Sequence, residues 1–499
     1  MKSLLLGADI GSSSCKVVLI DAAGTILANS RVPYEPQQTQ PGWMEQDPEV
    51  WYRAFCAAIK DCLRGQSSDA PKRIQALSVC GPAHTVVLLD SSGKPLRPAI
   101  LWSDLRSIPQ ARWLEEQQGD FIFDVSQQPV NPSWTLCQLL WVKQNEPDIW
   151  NRLHRIVIHK DYITYRLTGV WNTDPYDAQG TQLFDARLPG WSTELCGLLE
   201  LTDTALPPVR AAVCTAGTVT EQAAADTGLP TGLSVAVGSG DSVVEALGAG
   251  VVAPGQAILK LATSGVIGVA TDGPKPSRRT MTYPYLTPSG WYTICATSSG
   301  AASALWFSHG FGEEKDNFAT IEKMAASVVP GSEGLLFHPY LRGERAPHWD
   351  PRLRGDFVGV TADHGKAHFA RAVLEGVAFS LRDCREMLSE LSIPIDDYRL
   401  LGGGARSSLW SQIVADVFDC DLLRIPVDAA AFGAALLAGV TAGVYSDIEA
   451  AAAVHMNGEV VRPQTENRER YQRLFSLYQQ TTERLRPIQH ALSDLYRER

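Results

Sequence analysis

The 499-residue chain contains no Cys-x-x-Cys pair, which removes the zinc-ribbon and zinc-finger readings. Its ten cysteines are scattered, which points to reduced thiols in a cytoplasmic protein, not a disulfide framework. Long hydrophobic runs are also missing. The most apolar uncharged stretch, residues 429–444, covers about 16 residues, fewer than the ~20 of a membrane span, and reads as a buried Gly/Ala-rich helix. The opening "MKSLLLGA" is too short for a signal peptide, and Asp9 and Lys16 soon interrupt it. Positive charge is in deficit: 44 Lys and Arg stand against 55 Asp and Glu, for a net −11. That balance argues against a nucleic-acid or anionic-membrane partner. An anionic cofactor stays possible, because local backbone N–H groups outweigh a distant negative field. No low-complexity linker occurs.

What is there fits a globular protein of two large domains, since this length exceeds one ordinary core. The stretch "GADIGSSSCKVV", residues 7–18, sets a Gly/Ser loop between two apolar runs, with a turn at Ala22-Ala23-Gly24 and a third strand after it. Strand, loop, strand is a hairpin, whereas nucleotide P-loops and dinucleotide fingerprints need strand, loop, helix. The same form returns about 250 residues later in "QAILKLATSGVIGVATDG", residues 256–273. Both hairpins precede alternating strands and helices, which predicts two α/β domains with mixed sheets. The join is expected at 251–254, giving domains 1–252 and 253–499. Asp47-Pro48-Glu49 starts a helix that runs to about Leu63. Two opposed Gly/Ser loops across a cleft suit a polyphosphate nucleotide.

Several residues carry competing readings. Asp9 is either a turn residue bonded to local backbone or the organiser of a magnesium ion, with Ser12, Ser13 and Lys16 approaching phosphates. In "AVGSGDSVVEALGAG", residues 236–250, Asp241 is either a helix N-cap or a base that takes a hydroxyl proton as the oxygen attacks phosphorus. In "LLGGGARSSLW", residues 400–410, the glycines either admit a flat nucleoside or form a tight turn with Ser407 as N-cap. Taken alone, Trp102 reads more readily as a core residue and His84 as a structural one than either does as a functional residue. Arg342, Glu344 and Arg345 of "PYLRGERAPHWDP" read as charges that pair with one another.

With these motifs in place, the chain resembles the FGGY family of carbohydrate kinases, and within it the xylulokinases. The resemblance runs almost end to end, through "PGWMEQDPEVW", "HKDYITYRLTG", "PYLRGERAPH" and residues 355–375, which fit the family's second signature. It implies an actin-like ATPase fold of two ribonuclease-H-like domains. It also implies ATP and Mg2+ as cofactors and a sugar substrate; the oligomeric state is not readable from the sequence, and a homodimer is left open. By resemblance Asp241 is the general base and shares the metal site with Asp9. Thr263, Ser264 and Gly265 meet the phosphates, Gly403, Gly404, Ala405 and Ser408 the nucleoside, and Ala83, His84, Trp102, Asp104 and Asp241 the sugar. Pro82 and Ala83 depart from the usual xylulokinase neighbours of the histidine, Gln138 stands where the first signature usually has Lys, and Ala262 replaces a Gly. The expected reaction is phosphorylation of a ketopentose, D-xylulose first, with another ketose, a polyol or an actin-like nucleotide switch as alternatives.

Overall fold

The computed structural model describes residues 3–311, 317–425, 428–454 and 458–497. Two compact units emerge: residues 1–252 with 272–292 and 428–456, and residues 253–271 with 293–427 and 457–499. A single cut at 252/253 therefore marks only the first crossing of the chain, because two later stretches return to the first unit.

The first unit is built on a mixed sheet. Strand β1 (Leu4–Ile10) is buried at every position, as a central strand covered on both faces should be. It pairs antiparallel with β2 (Ser14–Asp21), which pairs antiparallel with β3 (Ile26–Pro33). β3 alternates half-buried and exposed residues because it is the edge. On its other side β1 runs parallel to the strand Ile74–Gly81, and Ser234–Ala236 and Ser239–Gly240 run parallel to that strand in turn. The helix Pro48–Leu63 starts where the sequence sets it, with the Asp47 carboxylate accepting from the Glu49 N–H at 3.0 Å.

The uncharged stretch forms the helix Ala429–Thr441, whose first eleven residues are buried. Its small residues are a steric requirement. A Cβ on Gly433 would sit 1.9 Å from the Val244 carbonyl oxygen, and one on Gly248 1.9 Å from that of Ala429. One on Gly7 of β1 would meet the Ala431 carbonyl at 2.1 Å. The helix thus lies backbone to backbone on β1 and on the helix Asp241–Gly248.

The second unit repeats the plan. Gln256–Leu261 and Gly265–Thr271 form an antiparallel hairpin, and the first of these runs parallel to Asp397–Leu401. Trp291–Ala296 borders the hairpin, and Leu422–Arg424 and Glu459–Val461 extend the other side. The helices Lys366–Glu390 and Ser408–Phe418 bury Val373, Val377, Leu381, Trp410 and Ile413 in a core shared with Tyr471 and Tyr478 of the C-terminal helix Arg468–Arg497. Among the described residues no helix is long and apolar enough to cross a membrane, and all ten cysteines are free thiols.

Candidate functional site

Three parallel strands of the first unit finish at one edge of the sheet. Asp9 of β1 pairs with Cys80, and Cys80 pairs on its other side with Ser239, two residues before Asp241. At a strand spacing of about 4.8 Å, Asp9 and the Asp241 segment flank Cys80 at the carboxyl ends of parallel strands, where α/β sheets bind ligands. Asp9 lies within the strand, so it is not the turn residue of the plainer reading. Its carboxylate sits 3.9 Å from the Cys80 thiol and 3.7 Å from Lys16 Nζ. Burial works against the Lys16 charge, yet Asp9 and Asp428 (2.7 Å) together hold its pKa above the ordinary value. Asp241 is the first residue of its helix behind Gly240 at the N-cap, so it is no side-chain cap. The Ser242 hydroxyl donates to it at 3.3 Å.

The loop between β1 and β2 is closed by the Gly11 N–H on the Ser14 carbonyl, and the Ser13 carbonyl accepts from the Tyr34 N–H. Ser13 is exposed, and Ser12 accepts a 3.1 Å hydrogen bond from the Trp102 indole. Trp102 is 38% exposed, which rules out the core reading. His84, in the left-handed region at φ 69°, brings Nδ1 to 2.6 Å from the Gly180 carbonyl and Nε2 to 3.3 Å from the Tyr283 hydroxyl. Burial lowers its pKa to about 3, so the ring is neutral: Nδ1–H donates to Gly180 and Nε2 accepts from Tyr283. Ala83 is buried beside it and offers only a methyl group.

Asp104 differs from the expectation of a sugar contact. It is 0% exposed, and its carboxylate is held bidentate by Arg106 (2.9 and 2.8 Å) and accepts the backbone N–H groups of Met44 and Arg106. Arg106 also binds Glu45 at 2.7 Å and lies over the Trp43 ring. This buried pair anchors the turn that carries Trp102. Gln138 fastens the same turn by donating to the Leu101 carbonyl at 3.0 Å.

Other residues near the site were not legible in the sequence. Tyr176 and Tyr283 pack with their rings tilted and centroids 4.5 Å apart, and Trp134 meets His84 edge-on at 3.7 Å. Tyr283 belongs to the stretch 272–292 that returns to the first unit, where Gln128 and Gln179 both donate to the Thr282 carbonyl. The fully buried Lys160 faces Asp161, Asp174 and Asp177 at 2.5, 3.2 and 3.3 Å. No residue pattern announced this cluster, although "HKDYITYRLTG" carries its first two members.

In the second unit the hairpin loop is braced from behind. The carbonyls of Ala262 and Thr263 accept the N–H groups of Ala301 and Gly300, and the Gly265 N–H donates to the Thr297 hydroxyl at 3.0 Å. The Ser264 carbonyl accepts the Ala262 N–H. Ala262 lies outside the left-handed region, so its methyl is accommodated. A Cβ on Gly265 would press on Leu381 and Thr297. At the Gly-rich turn Gly403 is exposed and open to approach, while Gly404 and Ala405 are buried against Leu261 and Trp410. Ser407 is the N-cap, accepting from the Trp410 N–H at 2.9 Å, and exposed Ser408 accepts from Arg424. Glu344 and Arg345 bind backbone: Glu344 accepts from the Ser298 and Arg345 N–H groups, and Arg345 donates to the Thr297 carbonyl. Burial raises the Glu344 pKa to about 7.

Two mixed-sheet α/β units, each opening on a hairpin, place the chain in the actin-like ATPase fold class. Sequence and structure comparisons narrow that class. Residues 4–248 match the N-terminal domain, and residues 257–442 the C-terminal domain, of the FGGY family of carbohydrate kinases. The chain belongs to that family and is an ATP-dependent carbohydrate phosphotransferase. It is 33% identical to a xylulose kinase of Staphylococcus epidermidis over 484 residues, 96% of each chain. It is 28% identical to a gluconokinase of Bacillus subtilis over 90% of each. The crystal structure of xylulose kinase from Rhodospirillum rubrum superposes with a TM-score of 0.90 at 28% identity, covering 98% of this chain and all of that one.

Proposed function

We propose that the chain transfers the γ-phosphoryl group of ATP to a primary hydroxyl of a ketopentose, D-xylulose being the first to test. The observation that carries this reading is the pair of acids at adjacent parallel strand ends, Asp9 and the Asp241 segment on either side of Cys80. Xylulose kinases at about 30% identity over nearly the whole chain support the acceptor class. Asp241, first residue of its helix, takes the hydroxyl proton as the oxygen attacks phosphorus. Backbone N–H groups of the loop between β1 and β2 spread the charge that develops on the transferred group.

Mg2+ keeps several waters and needs only one or two protein carboxylates beside the phosphates. Among the described residues no group of three or more acidic, His or Cys side chains forms a dedicated metal cage, whereas Asp9 and Asp241 supply that smaller donor set. They would hold the ion, which when bound neutralises phosphate charge. Ser12, Ser13, Lys16, Thr263, Ser264 and Gly265 serve the phosphates in this reading. Gly403, Gly404, Ala405 and Ser408 serve the nucleoside, Gly403 being the most open of them. Ala83, His84 and Trp102 face the sugar.

A second reading keeps the chemistry and changes the acceptor to another ketose or a polyol. The methyl group of Ala83 beside His84 favours it, because it removes a polar contact next to the ring.

The test is coupled ATP consumption over ketopentoses, hexuloses, gluconate and polyols, with Asp241→Asn in parallel. Sugar-dependent turnover that is highest with D-xylulose and lost in Asp241→Asn is expected. ATP turnover independent of every sugar would sink the kinase reading in favour of a nucleotide switch.

A further inference from the structure

Lys160, the second residue of the helix His159–Thr168, is 1% exposed and faces three carboxyl groups. Burial opposes its charge, but Asp161, Asp174 and Asp177 outweigh that and raise its pKa. Burial also raises the Asp177 pKa far above the carboxylate range, with Asp174 adding to it. A buried ion cluster of this kind is weak evidence for stability, since apolar residues of equal volume are often as stable. What the cluster touches is more informative.

The Lys160 ammonium donates to the Val237 carbonyl at 3.2 Å and meets one oxygen of Asp174 at 3.2 Å. The other oxygen of Asp174 accepts the Ser239 hydroxyl at 2.6 Å and the Tyr176 N–H at 3.2 Å. Val237 and Ser239 lie four and two residues before Asp241. Asp174 is also the N-cap of the helix Pro175–Gly180. That helix carries Tyr176, which packs so closely on Gly240 that a Cβ there would be 2.1 Å from the ring. It ends at Gly180, whose carbonyl holds His84 Nδ1. One ammonium thus ties the strand leading into Asp241 to the helix that orients His84.

We propose that Lys160 is a positioning residue for Asp241, acting through Asp174 and Ser239 to fix where the carboxylate meets the sugar hydroxyl. The proposal rests on the reading of Asp241 as the base. Lys160 and Asp174 touch neither sugar nor nucleotide; they set the register of the segment that does.

The experiment is steady-state kinetics on the full chain with Lys160→Met, Ser239→Ala and the double variant, alongside Asp241→Asn. Ser239→Ala removes one hydrogen bond to a carboxylate, and kcat is expected to fall about tenfold with the KM for ATP unchanged. Lys160→Met is expected to lower kcat on the order of 100-fold, again with an unchanged KM for ATP. The double variant should be no slower than Lys160→Met, because both changes break the same link. Losses in kcat that multiply, or a wild-type kcat in folded Lys160→Met, would overturn the proposal. If Lys160→Met does not fold, Ser239→Ala and Asp174→Asn decide: wild-type kcat in both overturns it. Activity surviving in Asp241→Asn would overturn the base reading instead, which separates the two failures.

Discussion

The Trp102 indole donates to the Ser12 hydroxyl at 3.1 Å, joining a side chain assigned to the sugar with the loop assigned to phosphate. Trp102→Phe keeps the ring and removes the donor, and Ser12→Ala removes the acceptor. Each should raise the KM for ATP several-fold, on the order of one lost hydrogen bond. The double variant should match either single one, because the same bond is lost. KM for ATP across the cycle checks this; a change confined to the sugar KM would place Trp102 on the sugar alone.

Asp104 and Arg106 form a fully buried pair, so Asp104→Asn should act on stability and not on recognition. Removing one charge leaves Arg106 with only part of its compensation, at a cost of about 3 to 5 kcal/mol. Urea unfolding measures the loss. A folded variant of native stability whose sugar KM alone rises would return Asp104 to the sugar pocket.

Glu344 gives a pH dependence with a defined sign. Burial lifts its pKa from the ordinary glutamate value of 4.5 to about 7, so between those values the folded state binds the extra proton. Stability then falls as pH rises through that window, by about 3 kcal/mol at most. Glu344→Gln should flatten the slope there, read from unfolding curves between pH 4.5 and 7.5. An unchanged slope would assign the dependence to other groups.

Gly433 admits no side chain. Gly433→Ala should destabilise the first unit by about 3 kcal/mol or more, since the new Cβ meets the Val244 carbonyl and backbone cannot yield as a side chain can. Gly310→Ala is the control: nothing lies within 4 Å of a Cβ there, and Ala favours the helix by roughly 1 kcal/mol. Thermal unfolding of the two variants should move in opposite directions.

The sequence determined the local elements and their repetition, because both rest on short-range physics. Apolar runs about a Gly/Ser loop make β1 and β2, Asp47 caps the helix Pro48–Leu63, and the uncharged stretch becomes the buried helix Ala429–Thr441. It also marked Asp9 and Asp241, since each ends or follows a recognisable strand. Partners distant in the chain were decided only by tertiary structure. Asp104 looked like a polar residue at a strand end until the Met44 N–H, from 60 residues earlier, and Arg106, tied to Glu45, closed on it inside the core. Tyr283 reached His84 because a stretch from the second half folds back into the first unit. Lys160 met three acids up to 17 residues away through a helix, a turn and a cap, a juxtaposition that no periodicity encodes. Burial then set the charge states: the same histidine or carboxyl group reads as an ordinary acid or base until the fold removes its water.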